Sequence, residues 1–318
     1  MGVVTGPVVA ELYRYPVKGL SAEALTEVTL RAGDGVPDDR VFALALPDTE
    51  FDEDRPAALH KTRFLMLQRD ETLARVRTRY DAATGQLGVD DGTRRWSADL
   101  TTAAGRRAVE EYFGSLAAST AGTGGVAGGI AAAATAAAAA ATAAAAAAAA
   151  AARTADAVGP AVRATDDGDA AGRARRLPRL VEARGGHRFT DTGPNGPDLM
   201  RSISVINLAS VRDLAERIGQ PVHPLRFRAN VYVDGLPAWA ERDWIGQEIA
   251  LGAVPGRVLS TTRRCAATTV NPDTAERDIK IVKELADHFG HTECGVYVQV
   301  RGAGTVSLGD PVTPPTRA

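Results

Sequence analysis

From Ala131 to Ala152 every position is alanine except Thr135 and Thr142. A run without large side chains cannot bury enough apolar surface to offset the entropy of ordering a chain. Any core must therefore come from the segments on either side. The run sits inside a longer biased stretch, residues 114–185. This stretch opens rich in Gly, Ala, Ser and Thr and turns acidic at Asp166-Asp167-Gly168-Asp169. Alanine is the best helix former, and a helix over the run would be about 33 Å long at 1.5 Å per residue. That length could cross a bilayer, but alanine contributes little transfer energy and no aromatic belt flanks it, so no membrane span is expected. We read 114–185 as an insertion or linker without chemistry, and Arg173-Ala174-Arg175-Arg176 within it as a solvated basic run.

The flanks read mostly as β-structure. Residues 8–14 and 24–30 alternate apolar and polar positions, with Pro16 and Gly19 punctuating the loop between them. Residues 40–46 predict a strand, and 73–80 with 86–90 a hairpin. Short strands with regular turn signals over 1–113 predict a barrel or a sandwich. Beyond the insertion, strands are expected over 203–208, 227–233, 247–251, 257–260, 267–270 and 295–300. Two helices interrupt them. One starts at Ser210 as N-cap and stops at Gly219, and the other spans about 279–289. The expected fold class is β-rich α+β, divided as 1–113, 114–185 and 186–312.

Composition narrows the partners. With 45% hydrophobic residues, 24% charged residues and a formal net charge of -2, nothing favours nucleic acid or an anionic membrane. The only cysteines, Cys265 and Cys294, cannot form a disulfide framework. Met1 to Pro7 lacks a basic segment followed by an apolar one, so a cytoplasmic protein is expected.

Chemistry concentrates at Arg263-Arg264-Cys265-Ala266-Ala267-Thr268-Thr269-Val270-Asn271-Pro272-Asp273-Thr274. Guanidinium groups beside a thiol favour the thiolate, the form that attacks substrates and binds metals. Thr268 to Val270 reads as strand, and Asn271-Pro272-Asp273 as a turn. Cys265 is then a nucleophile, a soft metal ligand or simply a small buried hydrophobe. A rival constellation is His288-x-x-His291-x-x-Cys294, preceded by Asp287, whose residue types suit zinc. Gly290 and the helix end break a common ligand face. A Cys-His pair of Cys265 with His187 or His223 has no local signature to support it.

The cysteine segment closely resembles that of MOSC-domain proteins, the molybdenum cofactor sulfurase C-terminal family, which includes amidoxime-reducing reductases. Two further stretches agree in order and spacing. Leu12-Tyr13-Arg14-Tyr15-Pro16-Val17-Lys18-Gly19-Leu20, continued by Asp39-Arg40-Val41-Phe42, resembles the opening of the family's N-terminal β-barrel domain. Arg226-Phe227-Arg228-Ala229-Asn230-Val231-Tyr232-Val233 resembles the strand before its cysteine. The likeness covers nearly all of the chain outside about 115–185.

The resemblance implies an N-terminal β-barrel-like domain, a MOSC β-barrel domain with peripheral helices, and molybdenum cofactor (molybdopterin or its nucleotide form) held between them. Cys265 would be the metal ligand and catalytic residue. Lys18, Arg40, Arg228, Asn230 and Arg264 would bind the anionic cofactor, as charge-assisted donors do. Arg263 stands where the family often has proline and could take over the role of Arg264. Tyr297 also matches a family position, although a core tyrosine explains it equally well. The implied reaction is two-electron reduction of a small N-hydroxylated or N-oxide substrate. Alternatives are a sulfur transferase carrying a Cys265 persulfide and a non-enzymatic cofactor carrier. A [2Fe–2S] cluster needs four thiolates and no Gly-x-Gly-x-x-Gly nucleotide fingerprint follows a strand, so an external redox protein is the expected electron donor.

Overall fold

The first strand of the chain lies one place in from the edge of a sheet completed by residues more than 200 positions later. The computed structural model describes residues 6–121 and 177–316. The alanine run lies outside the described residues. β1 (Val8–Arg14) pairs antiparallel with β10 (Val231–Asp234) on one side and β2 (Glu23–Leu25) on the other. The sheet continues through β9 (Ile203–Asn207), β13 (Glu293–Val300), β12 (Val254–Arg263), β11 (Glu248–Leu251) and β15 (Val312–Thr313). Eight strands thus run in the order β15-β11-β12-β13-β9-β10-β1-β2. Only β9 and β10 are parallel, joined by a crossover that contains α3 (Leu208–Ile218).

Two further pairings tie the halves of the sequence together. β3 (Glu27–Leu30) pairs with β14 (Gly304–Ser307), and β4 (Phe42–Ala45) with β8 (Arg179–Glu182). β5 (Arg77–Asp81), β6 (Gln86–Asp90) and β7 (Arg95–Asp99) form a separate meander. It packs with α1 (Ala103–Ala121) over a core that includes Leu87, Val109, Phe113 and Leu180. Helix α1 runs through the expected boundary at residue 113, and β8 lies inside the stretch read as an insertion. Each has large apolar residues to bury, which the alanine run lacks. Two helices complete the described set, α2 (Pro197–Met200) and α4 (Ile281–Phe289). The fold class is β-rich α+β, as the sequence predicts.

Side-chain chemistry explains where the elements differ from expectation. Helix α3 is capped by Asn207, which accepts a hydrogen bond from the Ala209 amide, so it starts before Ser210. Ser210 instead donates to the buried Glu241 carboxylate at 2.9 Å. Residues 267–270 are not a strand. Ala266–Thr269 is a 3-10 turn in which Thr268 Oγ1 and Thr269 Oγ1 donate to the carbonyls three residues earlier, at 2.8 and 2.7 Å. Such local bonds outcompete the β-propensity of threonine. Residues 227–230 are not strand either, because Pro224–Phe227 is a 3-10 turn and Arg228 is left-handed. Glu71–Arg75 is likewise a 3-10 turn ahead of β5.

One glycine fixes the strand beside the site. Gly295 has φ +82°, and a Cβ there would lie 2.5 Å from the Val205 carbonyl oxygen and 2.6 Å from Ile206 Cγ1. Gly295→Ala is expected to cost about 2 kcal/mol, from left-handed strain plus overpacking. Chemical denaturation should show that loss at unchanged m-value.

Candidate functional site

Sequence places Lys18 just after Tyr15-Pro16-Val17 and Arg40 just before β4, and the fold brings both against the segment that follows β12. A cavity of about 430 Å³ opens there, within the roughly 300–1,000 Å³ usual for small-molecule and cofactor sites. All six expected residues line it: Lys18, Arg40, Arg228, Asn230, Arg264 and Cys265. Tyr297 lines it as well, and burial raises its hydroxyl pKa.

The cations are arranged by specific contacts. Arg40 and Arg228 sit at φ 53° and 54°, a left-handed conformation that costs non-glycine residues on the order of 1–3 kcal/mol each. Both guanidinium groups stack on the Tyr15 ring, with their carbons 4.7 and 4.4 Å from its centroid. Tyr15 donates to the Ala229 carbonyl at 3.0 Å, and burial pushes its hydroxyl up to about 12. Arg40 pairs with Asp39 and donates to the Arg228 carbonyl at 3.1 Å. Arg228 has no ion-pair partner among the described residues, and burial lowers its pKa. A half-buried guanidinium that no carboxylate pairs with favours an anion.

Asn230 and Arg264 serve the walls more than the space. The Asn230 side-chain oxygen accepts from the Ser204 amide and hydroxyl at 3.1 and 3.0 Å, and its amide nitrogen donates to Tyr13 O. Arg264 donates to the Phe227 carbonyl at 2.7 Å and, through Nε, to the Cys294 carbonyl at 2.8 Å. Its guanidinium is thus directed at backbone, while Arg263 is exposed at the end of β12. A further cation on the cavity that Cys265 lines is Lys61, which the sequence reading overlooked. Burial lowers the Lys61 pKa, but Asp191 and Cys265 more than offset it, so the ammonium is held above its ordinary value.

Asp191 joins the two lysines. Lys18 Nζ lies 2.5 Å from its Oδ1, and Lys61 Nζ lies 3.6 Å from its Oδ2. Lys18 also donates to the Phe189 carbonyl at 3.2 Å. Burial lowers the Lys18 pKa despite Asp191. For Asp191, burial opposes ionisation, but Lys18 and then Lys61 outweigh it and hold the carboxyl below its usual range. No local pattern around Asp191 marks it in the sequence, because both partners arrive from residues far upstream.

Arg226 was noted only as part of a matched motif, yet it sets the shape of the cysteine segment. It is 3% exposed and meets both oxygens of Asp278 at 2.6 and 2.7 Å. Its other nitrogen donates to the Thr269 carbonyl at 3.0 Å. Cys265 itself is half-buried and opens this turn.

The rival constellation does not assemble. Among the described residues, no three His, Cys, Asp or Glu side chains come together to hold a metal ion. His288 faces Glu284 at 3.5 Å within α4, His291 stacks near Trp239, and Cys294 is fully buried beside Ile206 and Leu285. Burial pushes the Cys294 thiol up to about 12. Cys294→Ser would bury a hydroxyl in that core and is expected to cost about 1–2 kcal/mol. Zinc content, read by elemental analysis, should not change.

Together, the fold and the cavity define a β-rich protein whose two sequence halves enclose one cationic, thiol-bearing small-molecule site. Residues 6–123 match the MOSC N-terminal beta barrel domain and residues 185–313 the MOSC domain. The chain belongs to the MOSC-domain proteins. It is 30% identical over 120 residues to mitochondrial amidoxime-reducing component 1 of Mus musculus, covering 34% of this chain and 35% of the relative. It is 31% identical over 122 residues to mitochondrial amidoxime reducing component 2 of Rattus norvegicus, covering 35% and 36%. The matched segment therefore spans about a third of the length of these relatives. Among solved structures, the YUAD protein of Bacillus subtilis is 11% identical, with 96% of this chain and 93% of that chain covered and a TM-score of 0.37. YiiM of Geobacillus stearothermophilus is 20% identical over 36% and 54%, with a TM-score of 0.29. Family and relatives support a molybdenum cofactor-binding protein. No helix among the described residues is long and apolar enough to cross a membrane.

Proposed function

We propose that this protein is a molybdenum cofactor-dependent reductase of small N-hydroxylated or N-oxide substrates, with Cys265 as the metal's protein ligand. The observation that carries the reading is the cavity, where a half-buried thiol shares one wall-to-wall space with Lys18, Arg40, Lys61 and Arg228. The residues fit the group. Molybdenum cofactor is anionic and already carries sulfur ligands, so it calls for cations and one soft thiolate. Arg228 offers a guanidinium that no carboxylate neutralises among the described residues.

When bound, the cofactor would supply a two-electron metal centre. The chain's own residues would do the rest. Arg40 and Arg228, fixed on the Tyr15 ring, would hold the cofactor's anionic end. Arg264 and Asn230 would keep the walls in register through backbone bonds. Lys61 holds a proton on Nζ beside Asp191 and Cys265. The division into an N-terminal unit, an insertion and a MOSC unit, and a cytoplasmic place for the reaction, belong to the same proposal.

Elemental analysis of purified protein is expected to find molybdenum near one per chain. Turnover of a hydroxylamine or amidoxime should appear with a reducing dye. With NADH alone the protein should be inert, and it should become active once a separate redox protein and its reductase are added. Absence of molybdenum from protein made in a cofactor-producing host would sink the reading. A sulfur transferase would instead show a mass increment of one sulfur on the Cys265 peptide. A carrier would show metal without turnover.

A further inference from the structure

Of the two arginines adjacent to Cys265 in sequence, Arg264 is directed at the carbonyls of Phe227 and Cys294, and Arg263 lines the cavity from the exposed end of β12. A third cation on that cavity comes from the other half of the chain. Lys61 opens a one-turn 3-10 segment, Lys61–Arg63, that His60 caps through the Thr62 amide. Its backbone is pinned on both sides. The Arg63 carbonyl accepts from the Leu46 amide at 2.8 Å and from Thr49 Oγ1 at 2.9 Å, and the next residue, Phe64, is buried at 2% exposure. The side chain then reaches into the cavity that Cys265 also lines, is 22% exposed, and meets Asp191 at 3.6 Å. A lysine stem is flexible, and the Asp191 carboxylate is what holds it in one place.

We propose that Lys61 is a positioning residue of the site. Held by Asp191 in the cavity that Cys265 lines, its ammonium makes the space at the sulfur attract anionic groups. Lys18 cannot replace it, because its ammonium is taken by Asp191 and the Phe189 carbonyl. Asp191 has the opposite effect from Lys61. It fixes the ammonium in place but adds a negative charge that weakens the local field. The inference deepens the reading of Cys265 as a ligand for an anionic group, but its test does not depend on that reading.

The test uses cofactor-free full-length protein at one pH and one ionic strength. Cys265 is alkylated with iodoacetate, which is anionic, and with iodoacetamide, which is neutral, and both rates are read by mass spectrometry of the Cys265 peptide. Both reagents attack the same thiolate, so its population cancels in the rate ratio and the ratio reports the local field. Lys61→Met is expected to lower the iodoacetate-to-iodoacetamide ratio about three- to tenfold, the size expected for one partly screened charge at contact distance. Lys61→Arg should keep most of the ratio, and Asp191→Asn should raise it. A ratio unchanged in Lys61→Met overturns the proposal, as does an equal fall in Arg263→Met. If Lys61→Met does not fold, the Asp191→Asn arm decides, and a ratio that fails to rise there overturns it. Molybdenum content of wild-type protein is measured separately, so failure of the cofactor reading and failure of this inference are told apart.

Discussion

Cys265→Ser is expected to abolish turnover while leaving the melting temperature within a few degrees of wild type. The side chain is half-buried at the mouth of the cavity and makes no cap hydrogen bond in its own turn. What organises the turn is the Cys265 carbonyl, which accepts from the Thr268 amide at 3.0 Å and its hydroxyl at 2.8 Å. Serine keeps that carbonyl. It replaces a soft thiolate by a harder hydroxyl that stays protonated at neutral pH. Loss of a mere second-sphere partner costs about 10–100-fold in metal sites, so loss of the ligand should cost at least the upper end. Molybdenum content and steady-state rate with a reducing dye provide the measurement. Full activity in Cys265→Ser would remove the thiol from the chemistry altogether.

The second large effect is one of stability. Arg226→Ala is expected to cost about 3–4 kcal/mol, the range for breaking a buried ion pair, kept from its upper end because Asp278 is about a third exposed. The damage should be local in origin. Without the guanidinium, the Thr269 carbonyl and the Asp278 carboxylate lose their partner, and the turn that carries Cys265 loses the contact that ties it to Pro224–Phe227. Thermal unfolding should shift downward on the order of 5–10 °C, taking a few degrees per kcal/mol for a chain of this size. Arg226→Lys should recover little, because a point charge cannot meet both carboxylate oxygens and a carbonyl as a planar fork does. A stability loss below 1 kcal/mol in Arg226→Ala would show that the turn is held by its own threonines.

Which parts of this molecule can be read from its residues depends on the range of the forces involved. Period-2 alternation marked residues 24–30, and β3 buries every second residue there. In β1 a register shift between Val9 and Glu11 leaves Val9 and Leu12, three apart, as the buried pair. Gly219 and Gly290 ended α3 and α4 where expected, since both adopt the left-handed cap. The six anticipated site residues do share one cavity, although only their membership of matched motifs pointed there. The misses share a cause. Thr268 and Thr269 look like strand residues, but their hydroxyls bond to carbonyls three positions back. Asp191 and Lys61 carry no motif, because what makes them part of the site is each other, 130 residues apart in sequence. Adjacency misled as well. Arg264 stands next to Cys265 in the chain yet spends its guanidinium on two carbonyls.

The place of β1 between β2 and β10 has a consequence for how the chain is made. Tyr15 and its acceptor carbonyl on Ala229 are 214 residues apart. At about 5–20 residues per second, the ribosome needs on the order of 10–40 s to deliver the partner strand. Through that interval β1 waits as an unpaired edge with an apolar face, the kind of exposure that invites aggregation or chaperone capture. Closing so large a loop also raises the contact order, which slows the search for the native pairing. The N-terminal segment therefore cannot mature first and wait for the second. The cavity should come into being in a single late event, after β10 and β13 have left the tunnel, and cofactor added before that moment would find nothing to hold it.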